Sequence, residues 1–165
     1  MTDKATFAAG CFWGVEKAFQ KQFQGEQFTT RVGYTGGADD HPTYEKVCNG
    51  GTQHAEALQI EFHPSKTLSY PVLVEFFYRM HDPTTLNAQG PDRGTQYRSA
   101  IFYHSPEQQD IAHQVTAAVQ AAHFKNKIVT QIVPAGTWFD AEDYHQKYLE
   151  KNPQGYECPS HYLRW

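Results

Sequence analysis

Between Lys4 and Phe23 the apolar pattern changes period once, at Gly10-Cys11-Phe12-Trp13-Gly14-Val15-Glu16. Upstream, Thr6-Phe7-Ala8-Ala9 has the character of a strand. Downstream, the pattern continues through Phe19 and Phe23 at helical spacing. A strand running straight into a helix points to sheet and helix packed in layers, with Cys11 at the junction. There the unpaired N–H groups and the positive end of the helix dipole favour thiolate, the nucleophilic form, over thiol. Two glycines around a thiol indicate close backbone approach, and Phe12 and Trp13 would line a small apolar pocket beside the sulfur. The plainer alternative is a buried core thiol with aromatic packing neighbours.

The rest of the chain repeats the alternation. Residues 4–9 read as the first strand and 28–33 as the second, with Gln24-Gly25-Glu26 breaking the helix between them. Thr43 caps a short helix reaching Cys48. From His54 to Phe62, Ala57, Gln59 and Glu61 alternate with Leu58, Ile60 and Phe62, the period of a half-buried strand. Residues 69–81 read as a helix and 82–96 as a long loop, of the kind that more often carries function than not. Residues 98–103 form a strand. Ser105 and Pro106 open an Ala-rich helix that runs to about Phe124. A last strong strand over 127–133, a helix over 140–150 and an irregular tail from Asn152 complete the order. The economical fold is α+β, a sheet with helices packed on it around a ferredoxin-like βαββαβ core. Strand order is not legible from the sequence.

Composition narrows the function classes. A chain of 165 residues with 39% hydrophobic and 19% charged residues suits one globular domain, spanning 1–165 with the tail at 152–165. The net charge of −4, without a basic run, favours neither nucleic acid nor an anionic membrane. No stretch approaches a membrane span and Met1-Thr2-Asp3-Lys4 carries no apolar targeting segment, so a cytoplasmic protein is expected. Three cysteines without framework spacing suggest chemistry or core filling in a reducing compartment. Neither metal-binding His/Cys spacing nor a phosphate loop occurs, so no metal and no cofactor are expected.

Several residues carry candidate chemistry. If the alternation of the third strand holds, Glu56 shares the apolar face, where burial raises a carboxyl pKa and makes it a general acid; otherwise it frays into solvent. Tyr44 and Tyr97 flank glycine-containing loops and could bind an oxygen through their phenols, or simply pack. Asp92, in the long loop, could orient substrate or form an Asx-turn. Glu16 reads as solvent-facing or as assisting the helix dipole rather than as a chemical group, and Cys48 as packing. Cys158 lies in the tail Tyr156-Glu157-Cys158-Pro159-Ser160-His161, where a mobile thiol can reach another, or stand as an inert exposed one.

In combination these segments resemble the A-type methionine sulfoxide reductases, the peptide-methionine (S)-S-oxide reductases. The resemblance rests on GCFWGVE at 10–16, GYTGG at 33–37, PTYEKVC at 42–48 and HAEA at 54–57. It continues in HDP at 81–83, QGPDRGTQYRS at 89–99, AED at 141–143 and KNPQGY at 151–156, in order across nearly the whole chain. It implies a two-layer α/β sandwich around a ferredoxin-like core, with Cys11 as nucleophile and Glu56 as proton donor. Phe12 and Trp13 would then form the aromatic wall for the substrate methyl group, Tyr44 and Tyr97 would bind the sulfoxide oxygen, and Asp92 would help hold the substrate. Many members end in a glycine-rich tail with two cysteines. Here Cys158 stands alone beside Pro159, so the resemblance implies it as the resolving thiol with no second relay.

On this reading Cys11 attacks the sulfoxide sulfur, methionine leaves, and the Cys11 sulfenic acid condenses with Cys158 to a disulfide that thioredoxin exchanges away. Free and protein-bound methionine sulfoxide are the expected substrates, and a monomer the expected state. A thiol peroxidase would share the sulfenic acid but needs an arginine beside the thiolate. A cysteine hydrolase needs a His–Cys pair, for which His54 is the candidate. A binding domain has no use for two separated thiols that meet.

Overall fold

The computed structural model describes residues 2–165. Its central strand β1 (Asp3–Ala9) has an antiparallel partner on each side, β3 (Ala55–Phe62) and β6 (Ser99–Tyr103). Phe7 faces Leu58 on one partner and Ile101 on the other. Outside β3 lies β2 (Phe28–Thr35), antiparallel and in register from Phe28↔Phe62 to Thr35↔Ala55. Helix α1 (Phe12–Gln22) joins β1 to β2, and α3 (Tyr70–Met80) joins β3 to β6. The resulting order β6-β1-β3-β2, with β1-α1-β2 split by β3, is the ferredoxin-like core expected from the element order. Helix α4 (Pro106–His123) then crosses over to β7 (Gln131–Pro134), which lies parallel beside β6, and β8 (Phe139–Asp140) closes the other edge against β2.

Alternation decides which face each side chain takes. Phe7, Leu58, Ile60 and Ile101 lie on the face covered by the helices and are fully buried. Phe7 stacks on Phe19 of α1 and Phe77 of α3 with ring centroids 5.6 and 5.2 Å apart, joining both helices to the sheet. Truncating such a residue to alanine costs about 3–5 kcal/mol. On the opposite face Ala8, Ala57, Ala100 and Phe102 pack against Val133, Ala135 and Trp138. Thr43 and Ser105 cap α2 (Tyr44–Cys48) and α4 by accepting from the N–H groups of Lys46 and Gln108, as their positions predict.

Three segments differ from expectation. The long loop contains a two-stranded hairpin, β4 (Ala88–Gln89) with β5 (Asp92–Arg93), and a 3-10 turn over Thr95–Tyr97. The strand expected over 127–133 pairs only as β7, because the preceding N–H groups are taken elsewhere: Ile128 donates to Gln120 Oε1 and Val129 to the Pro83 carbonyl. The helix expected over 140–150 breaks into β8, a 3-10 turn at Asp143–His145 and α5 (Tyr148–Lys151). The Gln146 amide binds both the N–H and the C=O of Val32, and Lys147 adopts a left-handed φ of 52°. Edge pairing with β2 therefore prevails over local helix propensity.

Candidate active site

Gly10, at φ +96°, turns the chain out of β1 so that Cys11 becomes the N-cap of α1, 7% exposed. Glu56 lies on the helix face of β3, 1% exposed, as alternation requires. The two residues meet at the first turn of the helix. The N–H of Phe12 donates to Glu56 Oε1 at 3.3 Å, while Oε2 is buried without a partner among the described residues. Burial lifts the Glu56 pKa to about 8; the Phe12 N–H opposes this and the charge of Asp92 adds to it. At neutral pH this carboxyl is mostly protonated.

The thiol departs from the sequence expectation. Burial, and after it the charge of Glu56, push the Cys11 thiol up, and the N–H groups of Trp13 and Gly14, acting the other way, do not prevail. The partial charges of a helix end are worth less than the desolvation of a thiolate at this depth. The resting group is a thiol, and ionisation of Glu56 would oppose its deprotonation further.

Around this pair the structure gathers the other candidates. Trp13 is part-buried, stacked on Tyr148 at 3.9 Å and donating its indole N–H to His145 Nδ1 at 2.9 Å. Phe12 has no exposed surface; it backs the site, packed on Tyr34 and His145, and leaves Trp13 as the accessible wall. The half-buried Tyr44 and Tyr97 have phenols raised in pKa by burial and then by the Glu56 charge, so both stay neutral hydrogen-bond donors. Asp92, on β5, forms no Asx-turn: both its oxygens accept from Tyr156 OH at 3.2 Å.

His145, Tyr148 and Tyr156 were not singled out by sequence reasoning. Their signal lay in the 141–156 region, where two motifs matched but an expected helix hid the convergence. Glu16 is likewise no surface residue. It is 1% exposed, accepting from Thr30 Oγ1 and the Lys147 N–H at 2.7 Å each, and so anchors the segment that carries Tyr148 against Trp13.

The thiols exchange their expected environments. Cys48, read as packing, is exposed at the end of α2, where Val47 is the buried residue. Cys158 is 2% exposed and donates to the Gln89 carbonyl at 3.4 Å. The tail is folded back onto the active-site end of α1, with His161 hydrogen-bonded to the Ala9 carbonyl.

Comparison with known proteins agrees with this arrangement. The family model described as peptide methionine sulfoxide reductase matches residues 3–163. The chain belongs to the peptide methionine sulfoxide reductase family. A probable peptide methionine sulfoxide reductase of Schizosaccharomyces pombe is 60% identical over 164 residues, covering 98% of this chain and 96% of that protein. Mxr1 of Saccharomyces cerevisiae in reduced form superposes with a TM-score of 0.94 at 45% identity, covering 99% of this chain and 93% of that one. The same yeast protein in complex with Trx2 superposes at 0.69 and 32% identity, covering 99% and 91%. This reductase is an oxidoreductase of the A type.

The rival chemistries lose their residues. Both ring nitrogens of His54, the candidate base for a hydrolase, are engaged, Nδ1 by the Gly37 N–H and Nε2 by the Asp39 carbonyl. The charges acting on the Cys11 sulfur are those of Glu56 and Asp92, both acidic. Arg98 is taken up by the carbonyls of Gln53, Thr95 and Gly36.

Proposed function

We propose that this reductase converts methionine-S-sulfoxide, free and in proteins, to methionine through a Cys11 sulfenic acid and a Cys11–Cys158 disulfide recycled by thioredoxin, as repair of oxidative damage. The reading is carried by one observation: a buried thiol beside a buried, mostly protonated carboxyl whose Oε2 has no partner. A sulfoxide sulfur becomes electrophilic once its oxygen is protonated or strongly hydrogen-bonded. Glu56 gives its Oε2 proton to that oxygen, Tyr44 and Tyr97 steady it, and the thiol proton of Cys11 returns to Glu56 as the sulfur attacks. The attack joins the Cys11 sulfur to the substrate sulfur; that bond and the substrate S–O bond then break as the hydroxyl passes to Cys11, which leaves Cys11 as S–OH and releases methionine with no proton gained or lost overall.

Trp13, backed by Phe12 and held by His145 and Tyr148, holds the methyl group, and Asp92 with Tyr156 holds the substrate. Because the methyl wall and the oxygen site are both fixed, one sulfur configuration is accepted. The yeast relative captured with Trx2 supports a thioredoxin-type dithiol as reductant. The test is turnover of resolved S- and R-epimers of a methionine sulfoxide substrate with dithiothreitol. Only the S-epimer should react; equal rates on both would overturn the pocket assignment.

A further inference from the structure

Gly14 makes no turn. It lies inside α1, where glycine costs about 1 kcal/mol relative to alanine. An alanine Cβ there would lie 2.5 Å from Nδ1 of His161, and one at Gly10 would lie 3.3 Å from Nε2 of the same ring. The imidazole thus occupies a seat made by the glycines on both sides of the nucleophile. Its Nε2 donates to the Ala9 carbonyl at 2.7 Å, which leaves Nδ1 as the bare nitrogen, buried and without a partner. The seat therefore selects by shape and by one hydrogen bond.

The seat also determines where Cys158 goes. The N–H of His161 binds the Cys158 carbonyl at 3.0 Å, so placing the ring places the turn that carries the thiol. On its other side the Cys158 thiol meets the carbonyl of the fully buried Gln89, whose side chain accepts from Ser160 Oγ and packs on Gly10, 2.8 Å from where a Cβ would stand. Gly10 is the residue before Cys11. None of these contacts serves attack on a sulfoxide.

We propose that His161 is a positioning residue for the recycling step: seated between Gly10 and Gly14, it anchors the tail so that the Cys158 thiol is held on Gln89 at the active-site end of α1, poised to capture the Cys11 sulfenic acid as it forms. This rests on the roles proposed above for Cys11 and Cys158. In the step, Cys158 gives up its proton and forms the S–S bond, the Cys11 S–O bond breaks, and the departing hydroxide takes that proton to leave as water. Docking acts by raising the effective concentration of one thiol at the other.

Excess hydrogen peroxide oxidises a thiol to the sulfenic acid without substrate, slowly where the thiol is buried and protonated as at Cys11, so with long incubation capture can be read apart from sulfoxide turnover. A 1,3-diketone that alkylates sulfenic acids is set to compete with Cys158, and mass spectrometry gives the ratio of trapped Cys11 to disulfide. Wild type should be mainly disulfide, and His161→Ala should raise the trapped ratio at least about tenfold through the lost effective concentration. His161→Gln keeps a donor near the Nε2 position and should return to within about threefold of wild type. Gly14→Ala, a better helix former, should resemble His161→Ala, and the double variant should be no worse than either, since both remove one contact.

Equal ratios in wild type and His161→Ala, or single effects that multiply in the double variant, would overturn the proposal. A wild type that forms no Cys11–Cys158 disulfide overturns it together with the recycling reading. The expected pattern in an enzyme without sulfoxide turnover would uphold the docking and refute the reductase reading.

Discussion

The N–H of Phe12 meets Oε1 of Glu56 at 3.3 Å, while Oε2 of the same carboxyl is buried and unpartnered. One oxygen is thereby assigned as acceptor and the other as the seat of the proton. The same helix turn that presents the Cys11 thiol orients the acid that works with it.

Glu56→Gln keeps the shape and the Phe12 contact but cannot donate a proton as an acid. The rate on the S-epimer should fall roughly 10²–10⁴-fold, the usual worth of general acid catalysis. Wild-type activity should also fall as pH rises through about 8, where Glu56 loses its proton. Steady-state rates across pH test both; a Gln variant within about twofold of wild type removes Glu56 from the mechanism.

Stability should move the other way. The folded pKa of Glu56, about 8, lies above the ordinary 4.5, so the native state binds the extra proton between those values and is favoured at the acid end. The ionisation of Glu56 therefore costs the fold nothing below about pH 4.5. Ionisation should cost the fold progressively more as pH rises from there to about 8. Glu56→Gln should match wild type in urea unfolding near pH 4.5 and exceed it increasingly toward pH 8. A gap that is constant with pH would contradict the buried, protonated carboxyl.

Tyr44→Phe and Tyr97→Phe each remove one neutral donor to the sulfoxide oxygen while leaving the ring in place. Each should lower kcat about 3–10-fold, the worth of one hydrogen bond, with the fold intact by circular dichroism. Unchanged kcat in both variants would place the oxygen elsewhere.

Cys158→Ser should still release about one methionine per enzyme, because attack by Cys11 does not need the second thiol. Multiple turnovers with thioredoxin should largely fail, and a small thiol should restore them by attacking the sulfenic acid directly. Cys48→Ser should change neither measurement, exposed though Cys48 is. Loss of thioredoxin-supported turnover in Cys48→Ser but not in Cys158→Ser would transfer the resolving role to Cys48.

Local pattern determined a large part of this protein. The change of period at Gly10–Cys11 placed the thiol at a helix start, and the alternation through Leu58, Ile60 and Phe62 put Glu56 on the buried face. Caps at Thr43 and Ser105 were legible because each depends on residues only three apart. What only the tertiary structure decided depends on partners distant in sequence. Glu16 is buried because Thr30 and Lys147 meet it, Asp92 is held by Tyr156, and 140–150 is not a helix because β2 draws its first residues and Gln146 to the sheet edge. The Cys11 thiol makes the same point through energy: the helix end that favours a thiolate is a local property, whereas the burial that outweighs it comes from the whole fold around it.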